Sequence, residues 1–144
     1  MQAYILYILA AVAGTVVLYR VGSRARNSAA TAPDTTGTTG ITEVGPSEAA
    51  KLIDERGAVV VDVRTLAEYE AGRIPKATHV PLRQLPQRIG ALNKYKGKPI
   101  VVSCRTGRRS ASACAYLAEN GFEEVYNLKG GIRAWAHARQ SIES

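Results

Sequence analysis

The residue best placed for chemistry is Cys104. It follows the apolar run Pro99-Ile100-Val101-Val102-Ser103 and precedes Arg105-Thr106-Gly107-Arg108-Arg109-Ser110. A strand, a short glycine-containing loop and a helix amino terminus, in that order, bring several backbone N–H groups around one point. Gly107 can take a left-handed conformation that curls the loop around its first residue. An anion there is stabilised by the amides, by the helix dipole and by nearby Arg108 and Arg109. A thiol in such a setting is acidified below its usual pKa of about 8.5. Cys104 is therefore expected to be a thiolate nucleophile at neutral pH. Cysteine also commonly serves as a small buried hydrophobe at a strand end, but three arginines within five positions argue against that role.

The remaining reactive residues read as structure. Cys114 lies ten positions on, among Ala111, Ala113, Ala115 and Leu117, and is expected in the core. Two cysteines are too few for a disulfide framework. With only His79 and His137 besides, no zinc-ligand spacing can be assembled, and no cofactor is expected. Asp62, Arg64 and Glu68 read as a structural ion-pair set, Arg64 and Glu68 being at i,i+4 spacing. Trp135 reads as a core plug. The net charge is +7, of which about +2 falls in residues 1–40. That surplus attracts anions, but no tract interleaves basic and aromatic residues on one face, so a nucleic-acid partner is not expected.

The elements that must position Cys104 begin at Ile41. Gly45 or Ser47 opens a helix with Pro46 near its first turn and Ala49, Leu52 and Ile53 on one face. Ala58-Val59-Val60-Val61 and Pro99–Ser103 are apolar runs of the kind buried on both faces of a parallel sheet. Thr65 and Glu68 have capping-box spacing. Thr78-His79-Val80 reads as a short strand stopped by Pro81. A helix over Ser110–Glu119 closes at Asn120-Gly121, and a strand over Glu124–Leu128 precedes a helix over Ile132–Ala138. Alternating strands and helices predict an α/β domain with a mainly parallel central sheet and helices on both faces. Ligands of such sheets bind beyond the carboxyl ends of the strands, where Cys104 falls.

At this point the chain resembles a family. Val102-Ser103-Cys104-Arg105-Thr106-Gly107-Arg108-Arg109-Ser110 looks like the active-site loop of single-domain rhodaneses. Val61-Asp62-Val63-Arg64, Glu68-Tyr69, Gly72-Arg73-Ile74-Pro75-Lys76-Ala77 and His79-Val80-Pro81 look like the family's amino-terminal signature. Asn127-Leu128-Lys129-Gly130-Gly131-Ile132 with Trp135 looks like its carboxyl-terminal one. Together they cover residues 41–138. The family usually has His where Arg73 stands and Gly where Lys76 stands.

The resemblance implies a rhodanese-like domain over residues 41–140 and a persulfide cycle. Cys104 would take a sulfane sulfur from an anionic, thiosulfate-like donor and pass it to a thiophilic acceptor, a thiol or a protein. It further implies that the backbone amides of Arg105, Thr106, Gly107, Arg108 and Arg109 hold the terminal sulfur's charge. Arg108 and Arg109 would bind the donor's oxyanion end, with Arg105 adding field strength at the rim. Phosphatase relatives carry a longer loop closed by Arg six positions after Cys; here that position is Ser110.

Upstream, Met1–Tyr19 contains no charged residue. As a helix, roughly nineteen residues span about 28 Å, against a hydrocarbon core of about 30 Å. Residues 1–22 are thus expected to be a transmembrane signal anchor. Arg20, Arg24 and Arg26 follow the apolar run and none precede it, which places the following domain in the cytoplasm. The alternative is export after signal cleavage, given Asn27-Ser28-Ala29-Ala30. Residues 23–40 read as a flexible linker with a span of roughly 25 Å. Two functions follow: a membrane-anchored thiosulfate-type sulfurtransferase, or a tethered persulfide relay or protein-binding module with little turnover on free thiosulfate.

Overall fold

The computed structural model describes residues 41–144. The expected transmembrane helix (1–22) and linker (23–40) lie outside the described residues. Among the described residues no helix is long and apolar enough to cross a membrane.

Five parallel strands form one sheet: β1 (Thr42–Val44), β2 (Val59–Asp62), β3 (Thr78–His79), β4 (Ile100–Ser103) and β5 (Val125–Leu128), in the order β1-β5-β4-β2-β3. Among the described residues four α-helices join them, α1 (Pro46–Arg56), α2 (Leu66–Glu70), α3 (Leu85–Leu92) and α4 (Arg108–Glu119), and α5 (Gly131–His137) follows β5. Single turns of 3-10 helix at Leu82–Gln84 and Asn93–Tyr95 flank α3. The strand alternation sorts side chains to two faces. Val61, Val63, Ile100, Val102 and Cys104 pack with Leu85, Leu92, Cys114 and Leu117 of α3 and α4. Val60 and Val101 pack on the other face with Ala49 and Trp135 of α1 and α5. All four residues of β4 are buried, as its unbroken apolar sequence requires.

Local signals account for most boundaries. Gly45 caps α1 with Pro46 in its first turn, and Gly57 closes it in a left-handed conformation. The Thr65–Glu68 capping box forms in full. The α4 chain leaves at Asn120, with Gly121 N–H on the Ala118 carbonyl and Phe122 N–H on the Leu117 carbonyl. Trp135 is buried, and its indole N–H donates to the Ser141 carbonyl at 2.8 Å.

Four features differ from the sequence-based expectation. Helix α4 starts at Arg108, two residues early, because Gly107 at φ +97° makes the turn. Strand β1 and helix α3 were not anticipated. Strand β1 is three residues long and exists through its pairing with β5, and α3 carries Pro86 in its first turn. The third concerns the ion-pair set. Arg64 does bind Asp62, at 2.6 Å and fully buried, but its remaining N–H groups go to the carbonyls of Glu68 and Gly72. The Glu68 carboxylate belongs instead to Arg109. Lastly, Lys76 holds a left-handed conformation at φ +60°, at the position where the resemblance leads one to expect glycine.

Candidate active site

Cys104 is the first residue beyond β4 and is buried at the carboxyl edge of the sheet. The loop after it turns at Gly107, whose N–H donates to Cys104 Sγ at 3.1 Å. From the first turn of α4, Ser110 Oγ donates to the same sulfur at 3.3 Å. Burial pushes the Cys104 thiol up. The Ser110 hydroxyl and the backbone amides of Ser110, Thr106 and Gly107 outweigh it, so its pKa falls below the ordinary cysteine value. A thiolate accepting several N–H and O–H bonds gains more than burial removes. The acidifying groups are thus loop amides and a hydroxyl. Ser110 is a site residue that the sequence reading missed, because it treated that position only as one lacking arginine.

Three supports hold the loop in place. The Asn127 amide donates to the Gly107 carbonyl and to Glu43 Oε1, both at 3.1 Å, tying the loop to β5 and β1. Ile132 N–H donates to the Cys104 carbonyl at 2.8 Å. Gly131 lies so close that an added Cβ would sit 2.6 Å from the carbonyl carbon of Arg105. Asn127 and Gly131 were read only as members of a motif. Their role follows from sheet order, which brings the end of β5 beside the end of β4.

The arginines divide. Arg109 is held in a bidentate pair with Glu68 at 2.7 and 2.8 Å. The Arg109 guanidinium keeps the Glu68 carboxyl down at about 2, with burial opposing it and Thr65 assisting. Glu68 in turn raises Arg109. Arg105 and Arg108 are exposed, and neither has a side-chain partner among the described residues. Thr106 is also exposed, and its backbone amide helps to lower the Cys104 pKa.

Cys114 is buried in the core below the loop, and burial, followed by the charge of Cys104, pushes its thiol up to about 12. It stays neutral. His79 stacks on Tyr69 with ring centroids 4.4 Å apart, and its Nε2 lies 2.9 Å from the Arg64 carbonyl oxygen. Among the described residues no cluster of His, Cys, Asp and Glu could hold a metal ion. The arrangement provides a buried thiol with a backbone amide and a hydroxyl donating to it, and two nearby arginines in sequence, Arg105 and Arg108, that are exposed and have no side-chain partner among the described residues.

Comparison with known proteins places the described domain among relatives of one family. The family model described as "Rhodanese-like domain" matches residues 45–138. A sulfurtransferase of Allochromatium vinosum is 43% identical over 86 residues, covering 60% of this chain and 78% of that protein. The thiosulfate sulfurtransferase GlpE of Pseudomonas fluorescens is 42% identical over 90 residues, covering 62% and 81%. Among solved structures, a rhodanese-related protein from Thermoplasma volcanium superposes with a TM-score of 0.63 at 26% identity, covering 70% of this chain and 96% of that one.

Proposed function

The chain belongs to the rhodanese-like domain family, and from that membership and the chemistry around Cys104 we propose that it moves a sulfane sulfur from a thiosulfate-like donor to a thiophilic acceptor. The observation that carries this reading is the pair of donors, Gly107 N–H and Ser110 O–H, on a buried strand-end thiol.

In the first half-reaction the Cys104 thiolate attacks the outer sulfur of thiosulfate. A new S–S bond forms, the donor's S–S bond breaks, and sulfite leaves with the electron pair. The product is a Cys104 persulfide. The loop amides from Arg105 to Arg109 would take up the negative charge on its terminal sulfur, a reading supported by the Gly107 N–H already on Cys104 Sγ. An acceptor nucleophile then attacks that sulfur, and the pair returns to Cys104 as thiolate. Cys104 is the catalytic residue. The Arg105 and Arg108 guanidinium groups bind the donor's oxyanion end. Arg109, expected from sequence to share that task, stands occupied by Glu68 and acts as a tie between α4 and α2.

Mass spectrometry after thiosulfate treatment tests this. One added sulfur atom, absent in Cys104→Ala, is the expected result. An adduct formed only from a protein persulfide donor would assign the chain to relay between proteins. No adduct from any donor would refute sulfur transfer.

The uncharged run Met1–Tyr19 followed by Arg20, Arg24 and Arg26 supports a single-pass anchor with the domain on the cytoplasmic side. A reporter fused at Ser144 that works only outside the cytoplasm would overturn that orientation.

A further inference from the structure

Residues 71–118 contain ten Lys and Arg and no Asp or Glu. Four of those cations are already accounted for: Arg73 pairs with Glu143, Arg109 with Glu68, and Arg105 and Arg108 flank the active-site loop. Five others fall in one segment, Arg83, Arg88, Lys94, Lys96 and Lys98, which runs through α3 and the turns on either side of it. All five are exposed, and none is in an ion pair among the described residues. The segment lies on the α4 side of the sheet, where Leu85 and Leu92 pack with Leu117 and Phe122. Two of its lysines lie over rings, Lys94 5.0 Å from the Tyr95 centroid and Lys96 5.3 Å from that of Phe122. Their stems cover apolar surface while the ammonium heads stay in water. On the opposite face of the sheet α1 mixes signs, with Glu48, Asp54 and Glu55 beside Lys51 and Arg56.

A partner for this face must be anionic and must offer its charge over an area. Single-stranded nucleic acid binds by stacking bases on open aromatic rings, and the lysines lie over the rings here. A specific protein partner seats an apolar anchor at the centre of the contact. The large apolar side chains exposed in the domain, Leu66 and Ile142, are both outside this segment. What remains is charge without an anchor. We propose that the face formed by Arg83, Arg88, Lys94, Lys96 and Lys98 docks on the anionic headgroups of a lipid bilayer. Such headgroups present many mobile negative charges and ask only for point charges in return. The sequence also supplies a reason for a bilayer to be near. The uncharged run Met1–Tyr19, read above as an anchor, would hold the domain at high local concentration beside one. The inference draws on that anchor reading and is independent of sulfur transfer. Docking would give the tethered domain one fixed orientation in place of free rotation.

The test uses the full chain with vesicles of phosphatidylcholine alone or with about 30% phosphatidylglycerol. Lysines are acetylated with a water-soluble reagent and the rates read by mass spectrometry. Lys94, Lys96 and Lys98 are expected to react about fivefold more slowly on the anionic vesicles, and about 0.5 M NaCl should restore them. Lys51, on α1, should react equally on both and serves as the internal control. The triple variant Arg88→Glu, Lys94→Glu, Lys98→Glu should lose the protection of Lys96, with sulfur transfer in solution unchanged. Equal labelling on the two kinds of vesicle overturns the inference, as does protection of Lys51 to the same extent. Protection by polyuridylate but not by phosphatidylglycerol overturns it in favour of a nucleic acid. Flotation with neutral vesicles reads the anchor separately. A chain that fails to float refutes the anchor, and the same contrast in labelling, with anionic vesicles added to the free chain, still decides the face.

Discussion

Ser110 Oγ lies 3.3 Å from Cys104 Sγ, so the first turn of α4 donates back to the residue that ends β4. Strand end and helix start are thereby joined through the reactive atom. The hydroxyl and the Gly107 amide converge on the sulfur and favour its anion in a buried place where an unassisted thiolate is disfavoured. A hydrogen bond to a charged group is worth about 1.5–3 kcal/mol, enough to move a pKa by about one to two units.

Removing that hydroxyl should therefore raise the Cys104 pKa. The folded value lies below the ordinary thiol range, so reactivity is present above the folded pKa and is lost as pH falls through it. In Ser110→Ala the midpoint of alkylation against pH moves up, and the iodoacetamide rate at mildly acidic pH falls by about tenfold or more. Cys114, with its thiol near 12, should stay unlabelled in both folded proteins. Mass spectrometry of the alkylated chains checks both statements.

Gly131→Ala should damage the site from outside it. The glycine has φ +59°, and a methyl group would lie 2.6 Å from the Arg105 carbonyl carbon. The backbone must shift, at a cost of about 1–3 kcal/mol. The urea midpoint should drop accordingly, and sulfur transfer should fall further than the loss of folded protein explains.

Lys76→Gly should stabilise the domain. A left-handed conformation costs a non-glycine residue about 1–2 kcal/mol, and Lys76 is exposed at φ +60°. Part of that gain is returned by the greater freedom of glycine in the unfolded chain. A net increase of about 0.5–1 kcal/mol in denaturant unfolding is expected, with sulfur transfer unchanged.

Glu68→Gln removes the charge opposite Arg109 and leaves a side chain that still suits the capping box. The released guanidinium adds a cation at the mouth worth about 1 kcal/mol to an anion, so the thiosulfate KM should fall about fivefold with kcat little changed. The depressed Glu68 pKa also has a stability consequence. The increment it contributes is present above the unfolded glutamate value of about 4.3 and is lost as pH falls towards about 2. E68Q should therefore lose less stability than wild type across that acid window, as acid titration by circular dichroism would report.

What the sequence determined is the part governed by neighbours along the chain. The buried β-branched runs of β2 and β4, the Thr65–Glu68 box and Trp135 gave the α/β class and most of the core. The strand-loop-glycine-helix order around Cys104 marked it as the candidate nucleophile. These features depend on backbone propensity and periodicity over a few residues. Tertiary structure decided which groups meet across the sheet. Glu68 reaches Arg109 from 41 residues away and Asn127 reaches Glu43 from 84. Strand β1 has its place only because β5 supplies the paired edge. Charge pairing is settled by distance in space, so of three arginines close together in the sequence Arg109 became a tie to Glu68, while Arg105 and Arg108 have no side-chain partner among the described residues.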